Sequence, residues 1–133
     1  DFFPAWLLLR NMEHLTAEFP ALLERCAHER RPENAFFERF SVQLENLAVY
    51  FFFRYLLKAS VDGALMEKAG ACVFHVLAIS RLAASMQIKA LPELCSLCGL
   101  YSKEVEHSEE NLQLLYRTIR HGALRVGTLL AMI

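Results

Sequence analysis

A chain of 133 residues is long enough for one continuous core and too short for two of ordinary size. Apolar residues make up 55% of it and charged residues 22%, a composition rich in core formers that does not suit a membrane protein. With 14 Lys and Arg against 15 Asp and Glu, the net charge of −1 offers no basic footprint for nucleic acid or an anionic lipid surface.

Phe3, Trp6, Leu7, Leu9, Met12 and Leu15 dominate the first segment, and Pro4 sits where an opening helical turn tolerates it, so a short helix is expected. The stretch from Phe2 to Leu9 lacks the basic leader and small-residue cleavage site of a signal peptide and is not read as one. Thr16 and Pro20 mark a boundary, after which Leu22, Leu23, Cys26 and Ala27 form a second stripe that ends in the charged run His28 to Arg31, before Pro32. From Asn34, a good N-cap residue, Phe36, Phe40, Leu44, Leu47, Phe51 and Tyr55 recur at spacings of three and four, which predicts a long helix over about 35–60. Between Leu47 and Leu57 only Arg54 interrupts the apolar run, so this half is expected to be surrounded by other helices as the central element.

Asp62 and Gly63 signal a turn, and a second long helix over about 64–86, antiparallel to the first, follows through Leu65, Ala69, Cys72, Val73, Val76, Ser80 and Ala83. Its most apolar part, Ala69 to Ala84, contains His75 and Arg81 and falls short of the roughly 20 residues that span a bilayer, so no membrane partner is expected. The stretch from Gln87 to Pro92 breaks the period. A fifth helix then shows Leu94, Leu97, Cys98, Tyr101 and Val105, and Ser108 caps a sixth carrying Leu112, Leu115, Tyr116 and Ile119, with Glu109 and Glu110 in its first turn and His121–Gly122 at its end. The tail from Ala123 to Ile133 is apolar apart from Arg125 and Thr128 and is expected to dock on the body or on a second copy. The fold class is therefore all-α, a compact bundle of about six helices in one domain over residues 1–133.

Cys26, Cys72, Cys95 and Cys98 lie among apolar neighbours, which suits reduced thiols and a cytoplasmic protein better than a disulfide framework. Cys95 and Cys98 form a lone C-x-x-C, a metal or redox spacing that would also arise from core packing beside Leu94 and Leu97. The five histidines, His14, His28, His75, His107 and His121, show no H-x-x-x-H pattern, and the Glu-x-x-His of Glu104 and His107 has no twin, so no metal site is expected. His75, amid apolar residues, reads as a hydrogen-bonded core histidine or as a catalytic base.

Arg54 must reach a carboxylate or the rim of a pocket; Glu104, Glu106 and Glu109 are the candidate partners, with an ion pair and an anion site as the two readings. Tyr50, Tyr55, Tyr101 and Tyr116 are candidates to line a pocket beside it, and the segment YSKEVEHSEEN from Tyr101 to Asn111 is dense in groups that exchange protons or cap a helix. Gly63, Gly70, Gly99, Gly122 and Gly127 make no G-x-G pattern, which leaves no Rossmann-type loop for a nucleotide or S-adenosylmethionine in this chain. A nucleophilic serine elbow is absent as well.

Two stretches go further, LENLAVYFFFRYLLKASVDGAL from Leu44 to Leu65 and LYSKEVEHSEENLQLL from Leu100 to Leu115. Both resemble the C-terminal region of the flagellin lysine N-methylase family, where an N-x-x-V-Y-F-F-x-R-Y helix, a D-G turn and another apolar helix precede a Y-S-[KR]-E-[VI]-E-H-S-E-E-N-L segment. The likeness covers about residues 40–116. It implies a bacterial, cytoplasmic protein that helps transfer methyl groups from S-adenosylmethionine to flagellin lysines. Members also carry an N-terminal cysteine-rich cluster, and this chain has only the one C-x-x-C. Because its first residue is Asp1 rather than Met, it is expected to be the C-terminal fragment of a longer protein. It would then support the reaction without catalysing it alone, and S-adenosylmethionine would be a cofactor of the longer protein.

On that reading the partners are flagellin and the missing N-terminal domain of the same protein, with a homodimer open, and Arg54, Tyr101, Glu104 and His107 are the candidate site residues at an interdomain surface. The alternative is a helical ligand-sensing or dimerisation module of a regulator, marked by a closed apolar cavity and a stable homodimer.

Overall fold

In a computed structural model, the described residues are 2–27 and 34–131. All regular structure among them is helical. Helix α1 (Phe3–Asn11) has Pro4 in its first turn and buries Ala5, Trp6, Leu8 and Leu9. It pairs with α2 (Glu18–Ala27), which buries Phe19, Leu22, Leu23 and Cys26. The Trp6 indole N–H donates to the Leu23 carbonyl at 2.7 Å, so an otherwise costly buried donor becomes the pin between the two helices. The expected charged end of α2, His28 to Arg31, lies outside the described residues.

Helix α3 (Asn34–Tyr55) is bent at Phe40, whose φ of −113° and ψ of 18° leave the helical basin. A 3₁₀ turn (Leu56–Lys58) and the single turn α4 (Ala59–Asp62) carry the chain to Gly63, and α5 (Leu65–Ser85) follows. Gly63 ends α4 in the left-handed region at φ 70°, and its N–H returns to the Ala59 carbonyl at 2.9 Å. A Cβ there would touch nothing within 4 Å, so the obstacle to a side chain is the backbone alone. Gly63→Ala is expected to lower stability by about 1 kcal/mol, read as a reduced urea midpoint with an unchanged slope.

The remaining elements are α6 (Leu91–Tyr101), a π-helical turn (Ser102–Glu106), α7 (Glu109–Arg120) and α8 (Val126–Leu130). Glu93 accepts from the Lys89 and Ala90 N–H groups at the start of α6. Ser108 caps α7 by accepting from the Asn111 N–H at 3.3 Å, as the sequence predicts. The tail docks on the body: Leu124 and Leu129 are buried, and α8 packs on α5.

The sequence is corrected on which helix is central. Phe51 is buried at 1% exposure, but Phe52 and Phe53 remain 47% and 61% exposed, as do Val49, Leu57 and Val61 in similar or greater degree. Helix α3 buries only Phe40, Phe51 and Tyr55, a single stripe against its neighbour, whereas α5 is buried at twelve positions. The physical reason is side-chain size. Gly70, Ala71, Ala78, Ser80 and Ala83 are all buried along α5, and such small residues let α1, α2, α3, α6, α7 and α8 close on it. The bulky rings of α3 fill one interface and must face outward elsewhere.

Candidate functional site

The densest polar arrangement lies where the π turn meets α3 and α5. The defining bond runs from the His107 N–H to the Ser102 carbonyl, five residues back, at 2.9 Å. Glu104, Val105 and Glu106 are buried in succession beside Tyr101, because the turn is packed on two sides, by the link between α1 and α2 and by α3.

The two carboxylates serve different ends. Glu104, 1% exposed, accepts from the Leu15 and Thr16 N–H groups at 2.8 and 3.0 Å and from the Thr16 hydroxyl at 2.7 Å, clamping the link between α1 and α2. Asn111 completes the clamp: its side-chain amide donates to the Glu104 and Glu13 carbonyls and accepts from the Glu13 N–H. Glu106, 3% exposed, turns to α3, where Oε1 accepts from the Tyr50 hydroxyl at 2.6 Å and pairs with Arg54 Nε at 2.6 Å, and Oε2 accepts from the Ser102 hydroxyl at 2.9 Å. Arg54 Nε also lies 3.3 Å from the Tyr55 hydroxyl, and this contact, more than the Glu106 charge, raises its pKa above the ordinary value.

Beside this group opens a cleft of about 340 Å³, lined by Leu47, Tyr50, Phe51, Ile79, Cys98, Gly99, Tyr101, Ser102 and Glu106. Burial, reinforced by the Glu106 carboxylate, raises the Tyr50 phenol. Burial alone moves the Cys98 thiol most, up to about 11, so it stays protonated and poorly nucleophilic at neutral pH. Under the cleft, the Tyr101 phenol and His75 Nδ1 share a hydrogen bond of 2.8 Å whose direction follows the imidazole tautomer. His75 is fully buried, stacked on Phe51 at 4.7 Å between ring centroids, and burial depresses its pKa to about 3. An imidazole that weakly basic suits a neutral core group rather than a base working near pH 7.

Of the four residues singled out from the sequence, two meet here. Tyr101 lines the cleft and Arg54 pairs with its carboxylate, whereas Glu104 faces the α1–α2 link and His107 is exposed outside the lining. Glu106, among three candidate partners for Arg54, is the one that engages it. Tyr50 joins the cleft and Tyr116 does not: its ring packs under the Lys68 ammonium, 4.0 Å from the centroid. Ser102 and Gly99 also line the cleft, Ser102 from the π turn and Gly99 from α6, and neither has a signature in composition or period. Cys95 is exposed while Cys98 faces the cleft, and among the described residues no group of three or more His, Cys, Asp or Glu is placed to hold a metal. No helix among them is long and apolar enough to cross a membrane.

S-adenosylmethionine would need partners for its adenine, ribose and amino-acid ends at once. The cleft offers one polar end, made by Tyr50, Ser102 and Glu106, against otherwise apolar walls. These residues do not make up a seat for the whole molecule.

A family model described as the FliB lysine N-methylase C-terminal domain matches residues 8–133. No curated protein and no solved structure matches the chain.

Proposed function

We propose that this chain, which belongs to the FliB lysine N-methylase C-terminal domain family, supports methyl transfer from S-adenosylmethionine to flagellin lysines as the helical part of a longer bacterial, cytoplasmic enzyme. The observation that carries the reading is where the two family-like segments meet. Tyr50 and Arg54 from the first and Ser102 and Glu106 from the second join in one hydrogen-bonded cluster at a cleft. Within the second segment Glu104 is a structural clamp, whereas Glu106 is buried and ion-paired at the edge of an open, largely apolar slot, which supports a binding role for that end of the cluster.

Methyl transfer needs an acceptor amine and a methyl donor held in line. The poor fit of the cleft to S-adenosylmethionine supports a division in which the rest of the enzyme holds the donor and this domain serves the acceptor side. Calorimetry tests the division. The longer protein is expected to bind S-adenosylmethionine and to methylate purified flagellin, and this chain alone is expected to do neither. A longer protein that neither binds the cofactor nor methylates flagellin would sink the reading.

A ligand-sensing or dimerisation module is the second reading, and the exposed apolar run of Phe52, Phe53, Leu57 and Val61 favours it. A stable homodimer in light scattering, combined with no methylation by the longer protein, would put it first.

A further inference from the structure

The cleft has the chemistry of a slot for a long aliphatic side chain that ends in a hydrogen-bond donor. Leu47, Phe51 and Ile79 supply apolar walls, Tyr101 a ring, and the polar groups gather at one end. A volume of about 340 Å³ is at the small end of ligand sites, too tight for a folded peptide segment and ample for one extended side chain. Gly99 lies in the lining, and a Cβ built there meets no heavy atom within 4 Å, so a side chain at this position can be added without a clash.

The polar end has one acceptor position left. A carboxylate offers about four lone-pair sites. On Glu106, Oε1 already takes the Tyr50 hydroxyl and Arg54, while Oε2 takes only the Ser102 hydroxyl. The remaining position on Oε2 can accept an N–H from a ligand. The charge balance then selects among amines, because Arg54 already neutralises Glu106 and a second cation would face both desolvation and like-charge repulsion. An uncharged primary amine escapes both penalties at the cost of its proton, about 4–5 kcal/mol for a lysine at pH 7 and less as pH rises, whereas a guanidinium, always charged, has no such route.

We propose that this cleft seats the side chain of a substrate lysine, its methylenes along Leu47, Phe51 and Ile79 and its uncharged ε-amine at Glu106 Oε2 beside Ser102. The choice of lysine over other primary amines rests on the methylase reading above. The uncharged amine is also the nucleophilic form, so the site selects the state that methyl transfer consumes.

The test uses Nα-acetyl-lysine methylamide, with the norleucine and arginine analogues as controls, followed through the Ser102 amide resonance of this chain. The lysine compound is expected to give a saturable shift, tighter as pH rises and the free amine becomes abundant, and both analogues are expected to bind at least about tenfold more weakly. Gly99→Leu adds bulk at an exposed helical position in the cleft lining, where a Cβ meets no heavy atom within 4 Å, and should weaken lysine binding at least about tenfold. No saturable shift, equal binding of norleucine, or unaltered binding by Gly99→Leu would overturn the assignment.

In the longer protein, Gly99→Leu should raise the flagellin KM rather than lower kcat alone. Flagellin methylation with an unchanged KM in that variant removes the cleft assignment and leaves the methylase reading intact. Lysine binding at the cleft with no methylation by the wild-type longer protein does the reverse.

Discussion

Glu104→Ala is expected to lower the unfolding free energy by about 3 kcal/mol, the largest loss from any single polar side chain in the YSKEVEHSEEN segment. The carboxylate is 1% exposed and is the common acceptor for two backbone N–H groups and one hydroxyl in the α1–α2 link. Alanine would strand those donors at once, and each part-buried donor left without a partner costs about 1–3 kcal/mol. The sum is held down because the link can turn partly toward water, as the 70% exposure of Leu15 shows.

Glu104→Gln keeps one acceptor oxygen but turns an NH₂ against a donor, so it should recover only part of the loss. Amide hydrogen exchange at Leu15 and Thr16 should accelerate in both variants, ahead of the rest of the molecule. A loss of stability within about 0.5 kcal/mol of zero would show that the clamp is incidental. The same experiment separates the two glutamates of the E-V-E triplet, since Glu106→Gln should disturb lysine binding while leaving the α1–α2 exchange rates in place.

How much of this was legible in the sequence depends on the scale of the feature. The expected helices, the Ser108 cap and the docking of the tail follow from period and capping chemistry, which act over a few residues. Membership of the family, too, was legible, because the residue order from Asn46 to Tyr55 and from Tyr101 to Leu112 is specific. The central helix was not. Apolar density marks α3, but centrality depends on how closely neighbours can approach, and the small buried residues of α5 decide that.

At the site, Arg54 declared itself as a charge in an apolar run, and its partner was among the three glutamates weighed. Glu104 and His107 stand out in the sequence for their chemistry, and in the fold Glu104 clamps the α1–α2 link while the His107 side chain is exposed outside the cleft lining. Ser102 and Gly99 have no signal in the sequence, since the first carries the π-turn bond and the second joins the cleft lining only through the packing of α6.

Between pH 6.5 and 4.5 the domain is expected to lose stability at a slope approaching about 1.4 kcal/mol per pH unit, and His75 is the cause. Its imidazole is fully buried, and burial first, with the Arg54 charge second, holds its pKa at about 3 against the ordinary 6.5. The sign follows from proton counting. Below pH 6.5 the unfolded chain protonates this residue and the native state does not, so the unfolded state binds more protons and acid favours it. The contribution is complete above 6.5 and is lost progressively down to about pH 3, for a total of roughly 4–5 kcal/mol.

Asp62 and Glu67 are held below their ordinary values, chiefly by the Ala64 N–H and by Arg120, and their own losses begin as the pH falls toward 4.5, so the part of the window above about pH 5.5 isolates His75. His75→Phe keeps a ring against Phe51 and gives up the bond to Tyr101. It should therefore be less stable than the wild type at pH 7 by about 1–3 kcal/mol, yet nearly flat from pH 6.5 to about 5.5. Urea unfolding at several pH values reads both numbers. Parallel slopes for the two proteins would mean that His75 takes up a proton within the fold, which would require its second ring nitrogen, buried with no partner among the described residues, to find one. Because Tyr101 links this imidazole to the cleft wall, acid protonation should also shift the Ser102 resonance only as the protein unfolds, never ahead of it.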